Sequence, residues 1–406
     1  MDTKFININE GASALCVLSP PLNCNGRKYD DNYVSKLVNI SDSSVKITIY
    51  RELIISKILK ELSNKNVDKY FSIVEDSCYI DVKSIPTKFH KICKINNSSN
   101  NKYLLLYSKN GGCKELKQKN IVFYENDENN ISPHILLEQD LKKKKYLIRN
   151  LETKNELIVD KIYRYCGNIS NKFIIKKLFY SKSSRKKYIK QFIRSIELLI
   201  NNKIVHFDIK LNNMVCNEES QIKIIDFGAS ICFGENYYYN AELMTKILSL
   251  NSEEIKEQLK NNSKFKNLLF EYIGIHTEFY TPPEILFLKL TLKNYTKEGI
   301  LNYIFNCYNI KPDFNLYNKF SKVIDYYNDN IITLIKDLFN NKSRNLIYKF
   351  DIFSLGIMLK EIIKILYKYN NIKVENSLIN LVEKMTDINV YKRLSIKQII
   401  NHTYLK

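Results

Sequence analysis

The chain has 406 residues, enough for one large domain or two lobes around a sizeable core. Its 45% hydrophobic and 26% charged residues match the balance of a globular protein, and no run approaches the roughly 18 consecutive apolar residues of a membrane span. The formal net charge of +20 favours acidic partners (nucleic acid, a membrane surface of anionic lipid, acidic protein segments), but the basic residues are spread along the chain and charge alone assigns none of them.

The nine cysteines run from Cys16 to Cys307 without a Cys-x-x-Cys pair, and the five histidines are dispersed. A disulfide framework or a zinc cluster needs closer spacing, so no disulfide partner is expected. The first residues, Met1-Asp2-Thr3-Lys4-Phe5, lack the basic-then-apolar layout of a signal peptide. The expectation is a cytoplasmic protein.

In chain order, strands are expected at 5–8, 15–18 and 33–38, with Pro20-Pro21 breaking the first group. Residues 47–62 carry Ile54, Ile58 and Leu62 at helical spacing. Residues 64–156 mix short apolar runs with Asn/Ser/Lys-rich stretches and read as strands with polar loops. A helix over 184–201 places Phe192, Ile196 and Leu199 on one face, with Ser183 or Ser184 as its cap. A short strand at 222–225 and polar, helix-prone sequence at 240–272 follow. Further helices are expected at 351–367 and 378–402. The first half is mainly strands and the second mainly helical.

Between the predicted helix at 184–201 and the strand at 222–225 lies His206-Phe207-Asp208-Ile209-Lys210-Leu211-Asn212-Asn213, and just after that strand comes Asp226-Phe227-Gly228. Phosphoryl transfer from ATP needs Mg²⁺ at the phosphates, cations on the developing charge and a carboxylate to orient the attacking hydroxyl. Asp208 is placed to accept the hydroxyl proton. Lys210 reaches the same side of the loop and neutralises the γ-phosphate. Asn213 and Asp226 offer the hard oxygen ligands that Mg²⁺ prefers, with Mn²⁺ as an alternative. Gly228 permits the backbone freedom needed beside Asp226.

This joint pattern resembles the catalytic and metal loops of eukaryotic-type Ser/Thr protein kinases. The resemblance implies an α+β, bilobal fold, with a small β-rich N-terminal lobe over residues 1–165, a larger helical C-terminal lobe over 166–406, and ATP between them. It continues downstream. Thr277-Glu278-Phe279-Tyr280-Thr281-Pro282-Pro283-Glu284 is similar to the end of an activation segment. Asp351-Ile352-Phe353-Ser354-Leu355-Gly356 is similar to a buried helix start, with Phe for the usual Trp. Arg393 matches the arginine that pairs with the carboxylate at Glu284. By the same analogy Thr277 lines the substrate hydroxyl, and His206 and Phe227 support the loops. Glu284, Asp351 and Arg393 favour a protein kinase over a small-molecule or lipid kinase, and Lys210 favours Ser/Thr over Tyr.

Upstream the match is looser. Asn9-Glu10-Gly11-Ala12-Ser13-Ala14-Leu15-Cys16 occupies the place of the phosphate loop, with Gly11 the one glycine kept and Ala14 and Cys16 beside it. Lys36 matches the lysine of the α- and β-phosphates, with Glu52 as its helix partner and Glu61 as the fallback. Ser56 is polar where such kinases carry an apolar residue. Tyr163 and Tyr165 lie in the segment that resembles the hinge against the nucleotide base.

Phe207 stands where an arginine usually binds a phosphorylated activation segment, so activity independent of that phosphorylation route is expected. Three stretches look inserted: about 64–156, the activation segment between Gly228 and Pro282, and about 287–348. Insert-rich kinases of this style, with Pro20-Pro21-Leu22-Asn23-Cys24 and Tyr33-Val34-Ser35-Lys36, resemble those of large cytoplasmic DNA viruses, including the virion-morphogenesis kinases of poxviruses. The expected substrates are proteins, with acidic ones suited to the basic chain. The rival readings are a pseudokinase scaffold, motivated by the poor phosphate loop, and a small-molecule or lipid phosphotransferase.

Overall fold

The computed structural model describes residues 5–6, 14–18, 33–39, 43–61, 67–74, 76–81, 102–107, 136–140, 145–149, 158–164, 167–168, 172–216, 221–233, 247, 249–273, 277–339 and 346–406. The chain divides into two compact units. The first comprises Met1–Gly167, Cys216–Gly228 and Glu235–Tyr239, and the second Asn168–Val215, Ala229–Gly234 and Asn240–Lys406.

The first unit is built on strands β1 (Phe5–Ile6), β2 (Ala14–Leu18), β3 (Tyr33–Asn39), β4 (Asp76–Asp81), β5 (Lys102–Tyr107) and β8 (Ile158–Arg164), with β6 (Leu136–Asp140) and β7 (Lys145–Arg149) forming a separate antiparallel pair. The six-stranded sheet runs β1-β2-β3-β8-β4-β5. β2 and β3 pair antiparallel with a register shift between Ala14 and Cys16, and Lys36 on β3 stands opposite Val17 on one side and Lys161 on the other. The β4–β5 pair lies within the 64–156 stretch expected as an insertion, so part of that stretch is framework of the sheet.

This unit also holds two helices, α1 (Ser43–Glu61) and α2 (Val67–Tyr70), and the short strand Ile222–Ile224. Ile55, Ile58 and Leu59 are buried on α1, and Glu52 and Ser56 lie on the same stripe, three or four residues apart in turn. Ser56 is the polar residue that looked out of place in an apolar position. Its hydroxyl accepts the Val74 N–H at 3.1 Å, which satisfies a buried backbone donor and accounts for the polar choice.

In the second unit α3 (Lys172–Phe179) and α4 (Lys182–Asn201) form a hairpin, with Phe179 stacked on Phe192 at 6.3 Å. The cap of α4 is Ser181, whose side chain accepts from Ser184 N at 3.1 Å, and not Ser183 or Ser184 as expected. A hydroxyl two residues nearer the start reaches the free N–H of the first turn, which the predicted candidates, already inside the helix, cannot do. Arg185 is buried and donates to Phe179 O (3.1 Å) and Tyr180 O (2.9 Å), closing the carbonyl end of α3, while it pairs with Glu375 at 2.7 Å.

Then come α5 (Ser252–Asn261), started by a capping box of Asn251 and Glu254, and α6 (Ser263–Ile273). The stretch between Glu284 and Asp351 holds four helices: α7 (Pro283–Leu292), α8 (Lys297–Cys307), α9 (Phe314–Asp329) and α10 (Ile331–Phe339). Thr296 caps α8 through Gly299 N, and Asp313 caps α9 through Leu316 N. Pro at the first turn of α7 costs no hydrogen bond, because that N–H would have no helical acceptor.

At the centre of the unit is α11 (Lys349–Asn370), in which every residue from Asp351 to Leu359 is buried. The region 378–402, expected to be helical, is α12 (Asn376–Met385) and a short α13 (Ile396–Ile400) separated by a turn. Asp387 and Asn389 start that turn by accepting Asn389 N and Tyr391 N with their own side chains, an alternative to helical bonding that these residues favour. Among the described residues no helix is long and apolar enough to cross a membrane.

Candidate active site

The loop after α4 is held by a short antiparallel pair, Ile204–Val205 with Ile231–Cys232. His206 and Phe207 then turn into the loop, and Phe207 adopts a φ of 63°. That is rare for a bulky residue and stores strain of about 1–3 kcal/mol. Two features offset it. Asp351, at the start of α11, accepts His206 N at 2.7 Å and Phe207 N at 3.0 Å, and the Phe207 ring packs edge-on against Phe350 at 4.7 Å. Asp351 is fully sealed from solvent, and burial pushes its carboxyl up to about 7 even though the two N–H bonds pull the other way. His206 is buried as well. Its Nδ1 lies 3.3 Å from Asp208 N, and its carbonyl accepts from Ser230 Oγ at 3.1 Å.

Beyond this turn four polar side chains converge. Asp208 Oδ2 receives Asn213 Nδ2 at 2.8 Å and Lys210 Nζ at 2.7 Å, and Asp208 Oδ1 receives Thr277 Oγ1 at 2.9 Å. Lys210 Nζ also donates to Thr277 Oγ1 at 2.7 Å, so the hydroxyl links cation and carboxylate. Asn213 Nδ2 further bonds Asp208 O at 2.8 Å, which fixes the 3-10 turn Leu211–Asn213. Asp208 and Lys210 are part-exposed, at 14% and 21% of their side-chain surface. Asp208, Lys210, Asn213 and Thr277, all singled out from the sequence, meet here.

Thr277 comes from a segment anchored to the helical core. Glu278–Tyr280 forms a 3-10 turn, Ser354 Oγ on α11 donates to Tyr280 O at 2.8 Å, and the Tyr280 hydroxyl donates to Glu361 on the same helix. Burial first, and the Glu361 carboxylate second, push the Tyr280 phenol well above its ordinary range, so it stays a proton donor. Further along, Glu284 and Arg393 form a doubly hydrogen-bonded pair, and Arg393 lies over the Phe353 ring at 4.7 Å. Tyr280 lies in the quoted 277–284 run, whereas Glu361 carries no periodic or spacing signal that would single it out.

The other expected residues lie in the first unit. Asp226 has a φ of 65°, which aspartate tolerates better than most side chains. Phe227 is buried edge-on to Phe71 at 5.8 Å, and Phe71 bridges to Ile224. A Cβ on Gly228 would come within 3.3 Å of Thr48 Cβ and Thr48 O on α1, so this glycine serves a close approach. Glu52 is completely buried on α1, and Glu61 is exposed at its end. Lys36, Ala14, Cys16 and Tyr163 are placed on their strands by backbone and register alone. Gly11 and Tyr165 lie outside the described residues.

The donor set suits a hard divalent cation. Asn213 spends its N–H₂ on Asp208, which leaves its amide oxygen as the group for a metal. Among the described residues no three His, Cys, Asp or Glu side chains gather at one point. Asn213 lies in the second unit and Asp226 in the first, and the assignment of both to a metal rests on the resemblance of their motifs.

Residues 113–249 match the family model described as the protein kinase domain, a span that contains Asp208, Lys210, Asn213 and Asp226. The comparisons support a eukaryotic-type protein kinase. Hormonally up-regulated neu tumor-associated kinase of Homo sapiens is 37% identical over 90 residues, 22% of this chain and 12% of that kinase. Its homolog B in Xenopus laevis is 38% identical over 90 residues, 22% of this chain and 14% of the homolog. Carbon catabolite-derepressing protein kinase of Saccharomyces cerevisiae is 30% identical over 98 residues, 24% of this chain and 14% of that kinase. The match thus spans about an eighth of these relatives' length. A protein kinase domain fits a bilobal kinase fold.

Proposed function

We propose that the chain is an ATP-dependent protein kinase that transfers the γ-phosphoryl group to serine or threonine hydroxyls. The observation that carries this reading is the Asp208–Thr277–Lys210 arrangement, a carboxylate and an ammonium bridged by one hydroxyl. Oδ1 of Asp208 accepts from Thr277, whereas Oδ2 accepts from both Lys210 and Asn213. Oδ1 is therefore the oxygen for the proton of an attacking hydroxyl. Lys210 supplies positive charge where the phosphoryl group gathers negative charge. A bound Mg²⁺, or Mn²⁺ in its place, would neutralise the phosphates.

Lys36, Glu52, Ala14, Cys16, Gly11, Tyr163 and Tyr165 are assigned to the nucleotide on the resemblance of their motifs. Activity without activation-segment phosphorylation follows from Phe207, whose ring is buried and offers no cation to a phosphate. The net charge of +20 supports acidic protein substrates. A role in the cytoplasm, and kinship to virion kinases of large DNA viruses, rest on the sequence features alone.

The deciding assay is transfer from radiolabelled ATP with Mg²⁺ to generic acidic and basic protein substrates, with wild type beside Asp208→Asn. Transfer that disappears in Asp208→Asn, with phosphoserine or phosphothreonine in the product, is the expected result. Label that does not depend on Asp208 under Mg²⁺ and Mn²⁺ alike would sink the enzyme reading. A kinase-fold scaffold would then be favoured, in keeping with the single glycine at Gly11.

A further inference from the structure

The helices between Glu284 and Asp351 do more than fill surface. α8 is rooted in the core through Ile300, Leu301, Ile304 and Phe305, all buried, and is tied to α9 by Lys297–Asp325 at 2.6 Å and by Phe305 against Phe320 at 5.0 Å. From this anchored helix and its capping residue two phenols reach the segment that carries Thr277. The Tyr303 hydroxyl donates to Glu278 Oε1, next in sequence to Thr277. The Tyr308 hydroxyl donates to Thr281 O at 2.5 Å, and Thr281 Oγ1 in turn donates to Thr277 O at 3.2 Å. The same Glu278 oxygen lies 3.8 Å from Lys289 on α7. Residues 277–281 are thus gripped from two sides, by α11 through Tyr280 and by the α8 region through Glu278 and Thr281. Burial holds both phenols well above their ordinary range, so each stays a donor at any working pH.

We propose that Tyr303 and Tyr308 are positioning residues that hold Thr277 against Asp208 and Lys210, a brace supplied by the inserted helices in place of a phosphorylated segment. Phe207, buried against Phe350, cannot grip a phosphate, and the grip is made instead by two uncharged hydroxyls that are always present. The role of the brace in catalysis rests on the kinase reading, whereas its effect on the backbone does not.

The test uses the full chain with Tyr303→Phe, Tyr308→Phe and the double change, each removing only a hydroxyl. Hydrogen exchange is followed in peptides spanning 277–285 and, as an internal control, in peptides from α11. Loss of bonds of this kind should speed exchange over 277–285 by about ten-fold per hydroxyl, with α11 unchanged. Glu278→Gln, which keeps an acceptor for Tyr303, should retain protection, and Glu278→Ala should lose it. In the transfer assay kcat should fall by about ten-fold for the double change while the KM for ATP holds. Unchanged exchange over 277–285 in the double variant overturns the proposal, as does equal acceleration in α11, which would make the tyrosines general packing residues. If wild type transfers no phosphate at all, the kinase reading fails, and the exchange data alone decide whether the brace exists.

Discussion

Arg393 and Glu284 face each other through two parallel hydrogen bonds, Nη1 to Oε1 at 2.7 Å and Nη2 to Oε2 at 2.8 Å, with at most 1% of either side chain exposed. The remaining guanidinium donors go to Asp387 O and Lys349 O, so every lobe of the fork is used. The pair joins the first turn of α7 to the turn before α13 and to the start of α11.

Breaking this pair from one side leaves a buried charge with no counterion. Glu284→Ala or Arg393→Met should each cost about 3–5 kcal/mol, read as a lowered midpoint in urea unfolding. Arg393→Lys should also be costly, because an ammonium cannot make two parallel bonds and reach two carbonyls at once.

Asp351 gives a pH signature. Its carboxyl sits at about 7 in the folded protein, above the unfolded value near 3.9. The folded state therefore holds a proton that the unfolded state releases. The resulting stabilisation is complete below pH ~4 and is lost as pH rises towards 7. The stability difference between wild type and Asp351→Asn should narrow over that window by up to about 1.4 kcal/mol per pH unit. The comparison is made by urea unfolding at each pH. A constant difference would show that the carboxyl is ionised throughout.

The site itself predicts an order of damage in kcat. On the proposed kinase reading, Asp208→Asn removes the proton acceptor and should cost about 10²–10⁴-fold. Thr277→Ala removes the bridge between Lys210 and Asp208 and should cost about 10- to 100-fold, the range for a hydrogen bond to a charged group. Thr277→Ser keeps the hydroxyl and should stay within about three-fold of wild type. Initial-rate kinetics at saturating ATP decide the order.

Phe207 yields a prediction in the opposite direction from an intuitive repair. Introducing the usual arginine, Phe207→Arg, should not create phosphorylation control. The site is buried beside Phe350, so the charge would lack a partner and the fold should lose about 3 kcal/mol or more. Wild type treated with a phosphatase should keep its activity, and a complete loss would count against the reading of Phe207.

Gly356 sets two tendencies against each other. Alanine in a helix interior is favoured over glycine by about 1 kcal/mol. Its Cβ, however, would lie 2.6 Å from Thr386 Cγ2 and 3.1 Å from Met385 Cβ. Overpacking of this kind costs about 1–3 kcal/mol, so Gly356→Ala should lower the melting temperature, and adding Thr386→Ser should restore part of it.

Much of the site was legible because its chemistry is compressed into short runs. Asp208, Lys210 and Asn213 sit within one loop, and their spacing survives whatever the surrounding chain does. Thr277, Glu284, Asp351 and Arg393 were legible only through resemblance, since their bonds to the loop and to each other span distant parts of the sequence. The helix α4 announced itself by apolar periodicity, whereas α11, buried on every side from Asp351 to Leu359, was legible through the motif at its start. The helices α8 and α9 did not announce themselves, although Thr296 and Asp313 are ordinary capping residues and would have marked their starts. The Ser181 cap was missed by two residues in a run of three serines, Ser181, Ser183 and Ser184, where composition cannot choose among hydroxyls. Tyr303, Tyr308 and Glu361 were missed for a different reason: a phenol that bonds across a fold leaves no local pattern.

The two N–H bonds from His206 and Phe207 to Asp351 also bear on how the protein is made. The span that the protein kinase family model matches ends at residue 249, and the side chain that shapes its loop arrives a hundred residues later. A nascent chain emerging from the ribosome carries Asp208 and Lys210 long before the helix that seats them. The loop is therefore set late in synthesis, and a fragment that stops short of Asp351 would keep the signature residues while losing the fixture that gives them their geometry.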